Sequence, residues 1–351
     1  MTKNKKIDES LNDAQMMQLA AKVSLASRDI ARPNPWVGAV ILSVDGTLAT
    51  GATRSPGSNH AEIEALSKVG DKARGATMWV TLEPCSHHGK TPPCTNAIID
   101  AGVSRVIVGS IDPDKKVNGR GIENLRSAGI EVVTGIETDT VQDLLAPYLI
   151  SRVLNRPFVL LKMASTLDGY IAAADMSSKW ITNEKSRRQV QKLRLQSDVI
   201  VVGANTVRYD DPSLRVVEYP LRSPKRVVFG KIPDGARILP AIEFHGEASD
   251  FIHNLSLDET LTVMVEGGAR VANSFLADNL IDEFHLFIAP KILGGSNGVR
   301  LFEGNGASSI AQAIDFDLCT TSQHGGDIEL KLRSKRATEI LKELKQAAVE
   351  P

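Results

Sequence analysis

Cysteine is scarce, with three residues in 351. That argues against a disulfide framework and fits a reducing compartment, the cytoplasm. An excess of charge of one sign is missing as well. Lys and Arg number 41 against 42 Asp and Glu, a formal net charge of −1, which leaves no electrostatic footprint for nucleic acid. No run of 18 apolar residues occurs, so no membrane span is expected. The opening stretch, MTKNKKIDESLND, is polar and lacks the apolar centre of a signal peptide. Internal repeats and low-complexity tracts are also lacking. What remains is ordinary globular composition, 42% apolar and 24% charged, at a length that fits two domains of roughly 150 residues each.

Periodicity organises the two halves. Residues 1–12 read as a flexible tail. Met16, Leu19, Ala20 and Val23 then recur at helical spacing behind Asn12 or Asp13 as N-cap. Strands are expected over 36–42 and 48–53 around an Asp45-Gly46 turn, and again over 77–81, 105–110 and 131–133. Helices are expected from His60 to Val69, from Cys94 to Ala101, from Gly121, and over 140–153. Asn155-Arg156-Pro157 marks a boundary, so the first domain spans 13–154 and the second 155–334. The second half restarts the alternation with strands at 158–163, 198–203, 226–229, 262–265, 283–289 and 328–332. Its helices fall at 184–195 and 269–280. Strands alternating with helices argue an α/β fold in both halves. Over 335–351, Ile340, Leu341, Leu344 and Ala348 share one face, an amphipathic helix docked on the body or on a second subunit. Cys319 reads as a buried structural thiol.

One group of residues carries chemistry by itself. His60-Ala61-Glu62 is followed by Pro84-Cys85 and by Cys94. An imidazole and two thiols supply three protein ligands suited to zinc and leave the fourth position open for water, as in a catalytic site. His60 at a helix start, Cys85 in a loop and Cys94 at another helix start can converge on one ion. Glu62 is placed to carry protons. This H-x-E…P-C pattern marks zinc deaminases that act on nucleobases, in which the cysteines are normally a C-x-x-C pair. Here eight residues, Ser86 to Pro93, separate them. The alternative is a closed structural site completed by His87 or His88, which would leave Glu62 without a task.

The full set of motifs resembles a known family. Pro33-Asn34-Pro35-x-Val37-Gly38, His60-Ala61-Glu62 and the stretch from Thr81-Leu82-Glu83-Pro84-Cys85 to Thr91-Pro92-Pro93-Cys94 are similar to the bifunctional riboflavin-biosynthesis deaminase/reductases. So are Leu161-Lys162-Met163-Ala164-Ser165-Thr166-Leu167-Asp168-Gly169, Trp180-Ile181-Thr182, Gly203-Ala204-Asn205-Thr206-Val207, Asp210-Asp211-Pro212, Val265-Glu266-Gly267-Gly268 and Ala289-Pro290-Lys291. The resemblance implies a cytidine-deaminase-like three-layer domain followed by a dihydrofolate-reductase-like domain. It implies zinc and NADPH as cofactors, a small pyrimidine ribotide as substrate, and a homo-oligomer, dimer or tetramer. By the same resemblance zinc falls to His60, Cys85 and Cys94, with Glu62 as proton carrier and Asn34 and Lys90 lining the pocket. In the second half Lys162 and Glu266 would be catalytic. Ala164, Trp180, Thr182, Thr206, Asp210, Gly267 and Gly268 would meet the cofactor. Ser178, Arg194, Leu214, Arg215 and Glu266 would meet the substrate.

Several positions depart from the family pattern. Thr53 stands where a histidine is expected, Asn59 replaces a proline, and Asp114 replaces an asparagine. In the second half the expected arginine is displaced to Arg215, which strand alternation would leave on the same face. Gly230 replaces an aspartate, and the segment from there to Thr262 is short for the family. These changes motivate an alternative, a monofunctional deaminase with a redox-inactive second domain. A nucleic-acid deaminase would need a basic face and a C-x-x-C pair, and this chain has neither.

Overall fold

The computed structural model describes residues 12–89, 91–217 and 223–349. Lys90 and nearly all of the 1–12 tail lie outside the described residues. The chain divides into two compact units. One takes the sequence up to Leu154 and again from Ile340, and the other takes Asn155–Glu339.

In the first unit α1 (Asp13–Ser24) opens on a capping box. Asn12 Oδ1 accepts from the Gln15 N–H at 3.0 Å, and Gln15 Oε1 accepts from the Asn12 N–H at 3.1 Å. Its buried face carries Met16, Met17, Ala20 and Ala21, so it is turned slightly from the expected Met16, Leu19, Ala20, Val23 stripe. The hairpin β1 (Gly38–Leu42) and β2 (Leu48–Ala52) leads to α2 (Ala61–Val69). Then follow β3 (Thr77–Val80), α3 (Cys94–Asp100), β4 (Arg105–Val108), α4 (Arg120–Ser127), β5 (Glu131–Thr134) and α5 (Thr138–Leu154). The sheet runs β2-β1-β3-β4-β5, with β1 antiparallel to both neighbours and β3 to β5 parallel. Val40, Ile41, Met78, Val80, Val106 and Ile107 are fully buried, as expected of strands covered on both faces.

The second unit begins with β6 (Phe158–Thr166), which runs three residues past the expected Met163, and β7 (Tyr170–Ala172). It continues through α6 (Glu184–Leu195), β8 (Val199–Gly203), α7 (Ala204–Asp210), β9 (Lys225–Phe229), β10 (Ile242–Phe244), α8 (Ala248–His253), β11 (Thr262–Glu266) and α9 (Ala269–Ala277). Then come β12 (Glu283–Ala289), β13 (Val299–Arg300), β14 (Phe316–His324), β15 (Asp327–Ser334) and α10 (Lys335–Val349). Eight strands form one sheet in the order β10-β9-β8-β11-β6-β12-β15-β14. From β10 to β12 neighbours are parallel, while β15 and β14 are antiparallel additions. The part of α10 from Ile340 groups with the first unit, where Ile340, Leu341 and Ala348 are buried and Lys345 Nζ lies 2.6 Å from Asp139. Among the described residues no helix is long and apolar enough to cross a membrane.

Two expectations need correction. Cys319 is half-buried, because it sits on β14, an edge strand paired on one side only and mostly exposed along its length. Residues 211–217 form no strand, and Leu214 has φ +50°, so alternation does not apply to Arg215.

Candidate active sites

His60 is the N-cap of α2, held extended at φ −75° and ψ 168°. The helix can approach β2 this closely because Gly51 has no side chain: a Cβ there would lie 1.9 Å from the Ala61 carbonyl oxygen. Cys85 follows β3 on an irregular segment, and Cys94 is the first residue of α3. His60 Nδ1 lies 3.7 Å from Cys85 Sγ and 3.3 Å from Cys94 Sγ. The three donor atoms fall within 4.8 Å of one another, the one such cluster found among the described residues, and neither His87 nor His88 belongs to it. The donor set therefore fits zinc with a position left open. Hydrogen bonding from Cys94 holds the Cys85 thiol down at about 4, and the same bond pushes the Cys94 thiol up. Thiols ligate as thiolates, so metal uptake by this trio would release protons. Glu62, in the first turn of α2, is 3% exposed, and burial pushes its carboxyl up to about 7.

Two of the departures in this unit, Thr53 and Asp114, have local explanations. Thr53 is buried, and its hydroxyl accepts from the Val37 N–H at 3.1 Å and donates to the Val37 carbonyl at 3.4 Å, so it closes the strand end. Asp114 pairs with Arg152 at 3.8 Å, and Arg152 stacks on Tyr148, which spends the charge inside the protein. Asn34 is half-buried on the turn before β1, with its N–H on the Ala31 carbonyl at 3.0 Å.

In the second unit a cavity of about 950 Å³ opens at the carboxyl ends of β8 and β11 and beside β6. Crevices of this kind in parallel sheets receive ligands. Lys162, Ala164, Ser178, Trp180, Thr182, Arg194, Thr206, Asp210, Leu214, Glu266, Gly267 and Gly268 all line it. Arg215 stands outside that lining, exposed, with its guanidinium 3.4 Å from the Leu239 carbonyl. Within the cavity Glu266 accepts from Arg194 at 2.8 and 2.6 Å and from Lys162 at 3.4 Å. Burial alone would raise the Glu266 carboxyl, but Arg194 and Lys162 outweigh it and hold the group at about 2. Burial pulls the Lys162 ammonium down, with Glu266 opposing. Ser178 Oγ donates to Asp210 Oδ1 at 2.5 Å. Gly267 and Gly268 both have φ +86°, and a Cβ on Gly268 would lie 3.1 Å from Thr206 Oγ1. Bare backbone therefore faces the cavity at the start of α9, a cradle that fits the diphosphate of a dinucleotide.

Arg187 was not anticipated. Its guanidinium lies 4.4 Å from the centroid of Trp180 and donates to the Thr182 carbonyl at 2.7 Å. Lys291 Nζ donates to the Trp180 carbonyl at 2.6 Å. Together they hold an indole that is 62% exposed. Arg187 and Arg194 are two helical turns apart and so share a face, which is a signal present in the sequence.

Residues 10–110 match the cytidine and deoxycytidylate deaminase zinc-binding region, and residues 157–340 match the RibD C-terminal domain. The riboflavin biosynthesis protein RibD of Aquifex aeolicus is 36% identical over 327 residues, covering 83% of this chain and 92% of that one. The structure of Acinetobacter baumannii RibD superposes with a TM-score of 0.84 at 34% identity, covering 92% of this chain and 99% of the other. A Thermotoga maritima structure described as a diaminohydroxyphosphoribosylaminopyrimidine deaminase/5-amino-6-(5-phosphoribosylamino)uracil reductase gives 0.81 at 33% identity, covering 92% and 98%. The chain belongs to the bifunctional deaminase/reductase family of riboflavin biosynthesis, whose two α/β units are a zinc-dependent deaminase and an NADPH-dependent reductase.

Proposed function

We propose that the chain deaminates 2,5-diamino-6-ribosylamino-4(3H)-pyrimidinone 5′-phosphate and then reduces the ribosyl group of the product to ribityl. The product is 5-amino-6-ribitylaminouracil 5′-phosphate. The observation that carries this reading is the presence in one chain of two built sites, the donor trio beside buried Glu62 and the Lys162–Glu266–Arg194 cluster in its cavity.

His60, Cys85 and Cys94 would hold zinc, which supplies a water made acidic enough to attack near neutral pH. Glu62 would take one proton from the water and deliver it to the ring nitrogen, then take the proton left on the added oxygen and pass it to the amine, so that the carbonyl forms as the C–N bond breaks, water is consumed and ammonia leaves. Burial raises the carboxyl's hold on a proton, which suits it to carrying one. Asn34 would read the pyrimidine edge, and Lys90 would meet the phosphate.

In the second unit NADPH would lie along Ala164, Trp180, Thr182, Thr206, Asp210 and the Gly267-Gly268 cradle, and would supply a hydride. Lys162, buried and drawn toward its neutral form, gives or holds a proton at the ribosyl oxygen, oriented by Glu266. Ser178, Arg194 and Leu214 would contact the ribotide. Arg215 would act only if the exposed 211–217 segment turned its side chain inward on binding.

The same reading makes the protein a cytoplasmic homo-oligomer, a dimer or tetramer, that acts on a small ribotide and not on nucleic acid. Its support is the near-zero net charge and the position of the mostly exposed nine-residue β14 at the end of its sheet. Zinc removal tests the division of labour. Chelation should abolish ammonia release yet leave NADPH oxidation on the already deaminated ribotide. Loss of both on chelation would contradict two separate sites.

A further inference from the structure

Of the three donors, Cys85 has the least regular backbone around it. Residues 81–89 and 91–93 are neither helix nor strand, yet a metal centre requires its ligands to be placed within about 0.2 Å. Glu83, two residues before Cys85, is 4% exposed and is bound on both carboxylate oxygens. Its Oε2 accepts from the N–H groups of Asp112 at 3.2 Å and Gly119 at 2.9 Å. Its Oε1 accepts from those of Gly121 at 2.8 Å and Ile122 at 3.3 Å. These donors are the approach to α4 and its first turn, whose N-cap, Gly119, has no side chain to offer. Glu83 therefore takes the place of a capping residue from elsewhere in the chain, where the helix dipole also favours its charge.

The segment is held from other sides too. The Glu83 N–H donates to the Ser110 carbonyl at 3.0 Å, and the Thr95 N–H donates to the Cys85 carbonyl at 3.3 Å. At Gly121 the helix backbone comes so close that a Cβ would lie 2.0 Å from the Pro84 carbonyl oxygen. Pro84 is thus held against α4 and the Cys85 carbonyl against α3, and the Glu83 carboxylate fastens the segment to α4.

We propose that Glu83 is a positioning residue for the metal centre: by capping α4 it fixes the Pro84-Cys85 backbone and sets how tightly the His60, Cys85 and Cys94 trio holds zinc. The proposal rests on the reading of that trio as the zinc site. Glu83 is neither a ligand nor a proton carrier, since backbone donors occupy both of its oxygens.

Glu83→Gln is nearly the same size, but its amide nitrogen would face N–H groups where the carboxylate accepted. Zinc affinity is measured on full-length wild type and E83Q by competition with a chromophoric chelator, together with the melting curve and NADPH binding. E83Q should stay folded, bind NADPH as wild type does, and hold zinc about 10- to 100-fold more weakly, the range seen when outer partners of metal ligands are removed. Equal zinc affinity in folded E83Q overturns the proposal. Wild-type protein that takes up no zinc overturns the reading of the trio, and this proposal with it. If E83Q does not fold, the same comparison is made on Glu83→Asp, which keeps the charge one methylene short. Weaker zinc binding is expected there as well, and wild-type affinity in it overturns the proposal.

Discussion

Glu62 and Glu266 are buried carboxyls driven in opposite directions by what surrounds them. Glu62 is raised to about 7 by burial, and Glu266 is held at about 2 by two cations. Glu62→Gln should lower ammonia release by about 10²- to 10⁴-fold while zinc content, read by metal analysis, stays at the wild-type level. Lost zinc would give Glu62 a structural role instead. For Glu266 the folded pKa lies below the ordinary value of 4.5. Such an acid stabilises the fold above its unfolded pKa, and that contribution is lost as pH falls from about 4.5 toward 2. The melting temperature of the reductase unit should therefore drop across that window. In Glu266→Gln this drop should flatten, with stability already lower by roughly 3–5 kcal/mol because Lys162 and Arg194 are left without their anion. A wild-type pH profile in the variant would contradict this. The trio was legible in the sequence because its residue types and spacing carry the chemistry directly. Thr53 and Asp114 were not, since their roles depend on Val37 and Arg152, partners that only folding supplies.

At the scale of elements, the core strands and long helices could be read from periodicity because burial enforces it. Glu184–Leu195 and Glu283–Ala289 fall where the pattern puts them. The strand Phe316–His324 was missed for the opposite reason. An exposed edge has no buried face to impose alternation, and Asp317-Leu318-Cys319-Thr320-Thr321-Ser322-Gln323 shows none. Short elements such as Ala204–Asp210 and Ile242–Phe244 lack the length for a period to register. In the proposed reading the turn into α9 would cradle the cofactor's diphosphate. Gly268→Ala forces a side chain onto φ +86° and toward Thr206 Oγ1, at a cost of about 1–3 kcal/mol. NADPH affinity by fluorescence titration should fall at least severalfold in this variant, while ammonia release is unchanged. Unaltered NADPH affinity would remove the cradle from the account.

At the scale of the molecule, two α/β units with unlike sheets carry unlike chemistry on one chain. Their order was legible because each unit restarts the alternation of strands and helices. The return of the chain to the first unit from Ile340 was not, since an amphipathic helix shows that it docks and does not show where. The departures at Gly230 and Arg215 made the reductase the less secure half from sequence. The cavity keeps the other second-unit candidates on its walls. The central claim is that both reactions run on this one protein. The direct measurement supplies purified protein with the diaminopyrimidinone ribotide and NADPH, and follows ammonia release and NADPH oxidation together. The account predicts both signals, with NADPH consumed only after ammonia appears. Ammonia released with no NADPH oxidised would contradict it and leave a deaminase joined to a redox-inactive domain.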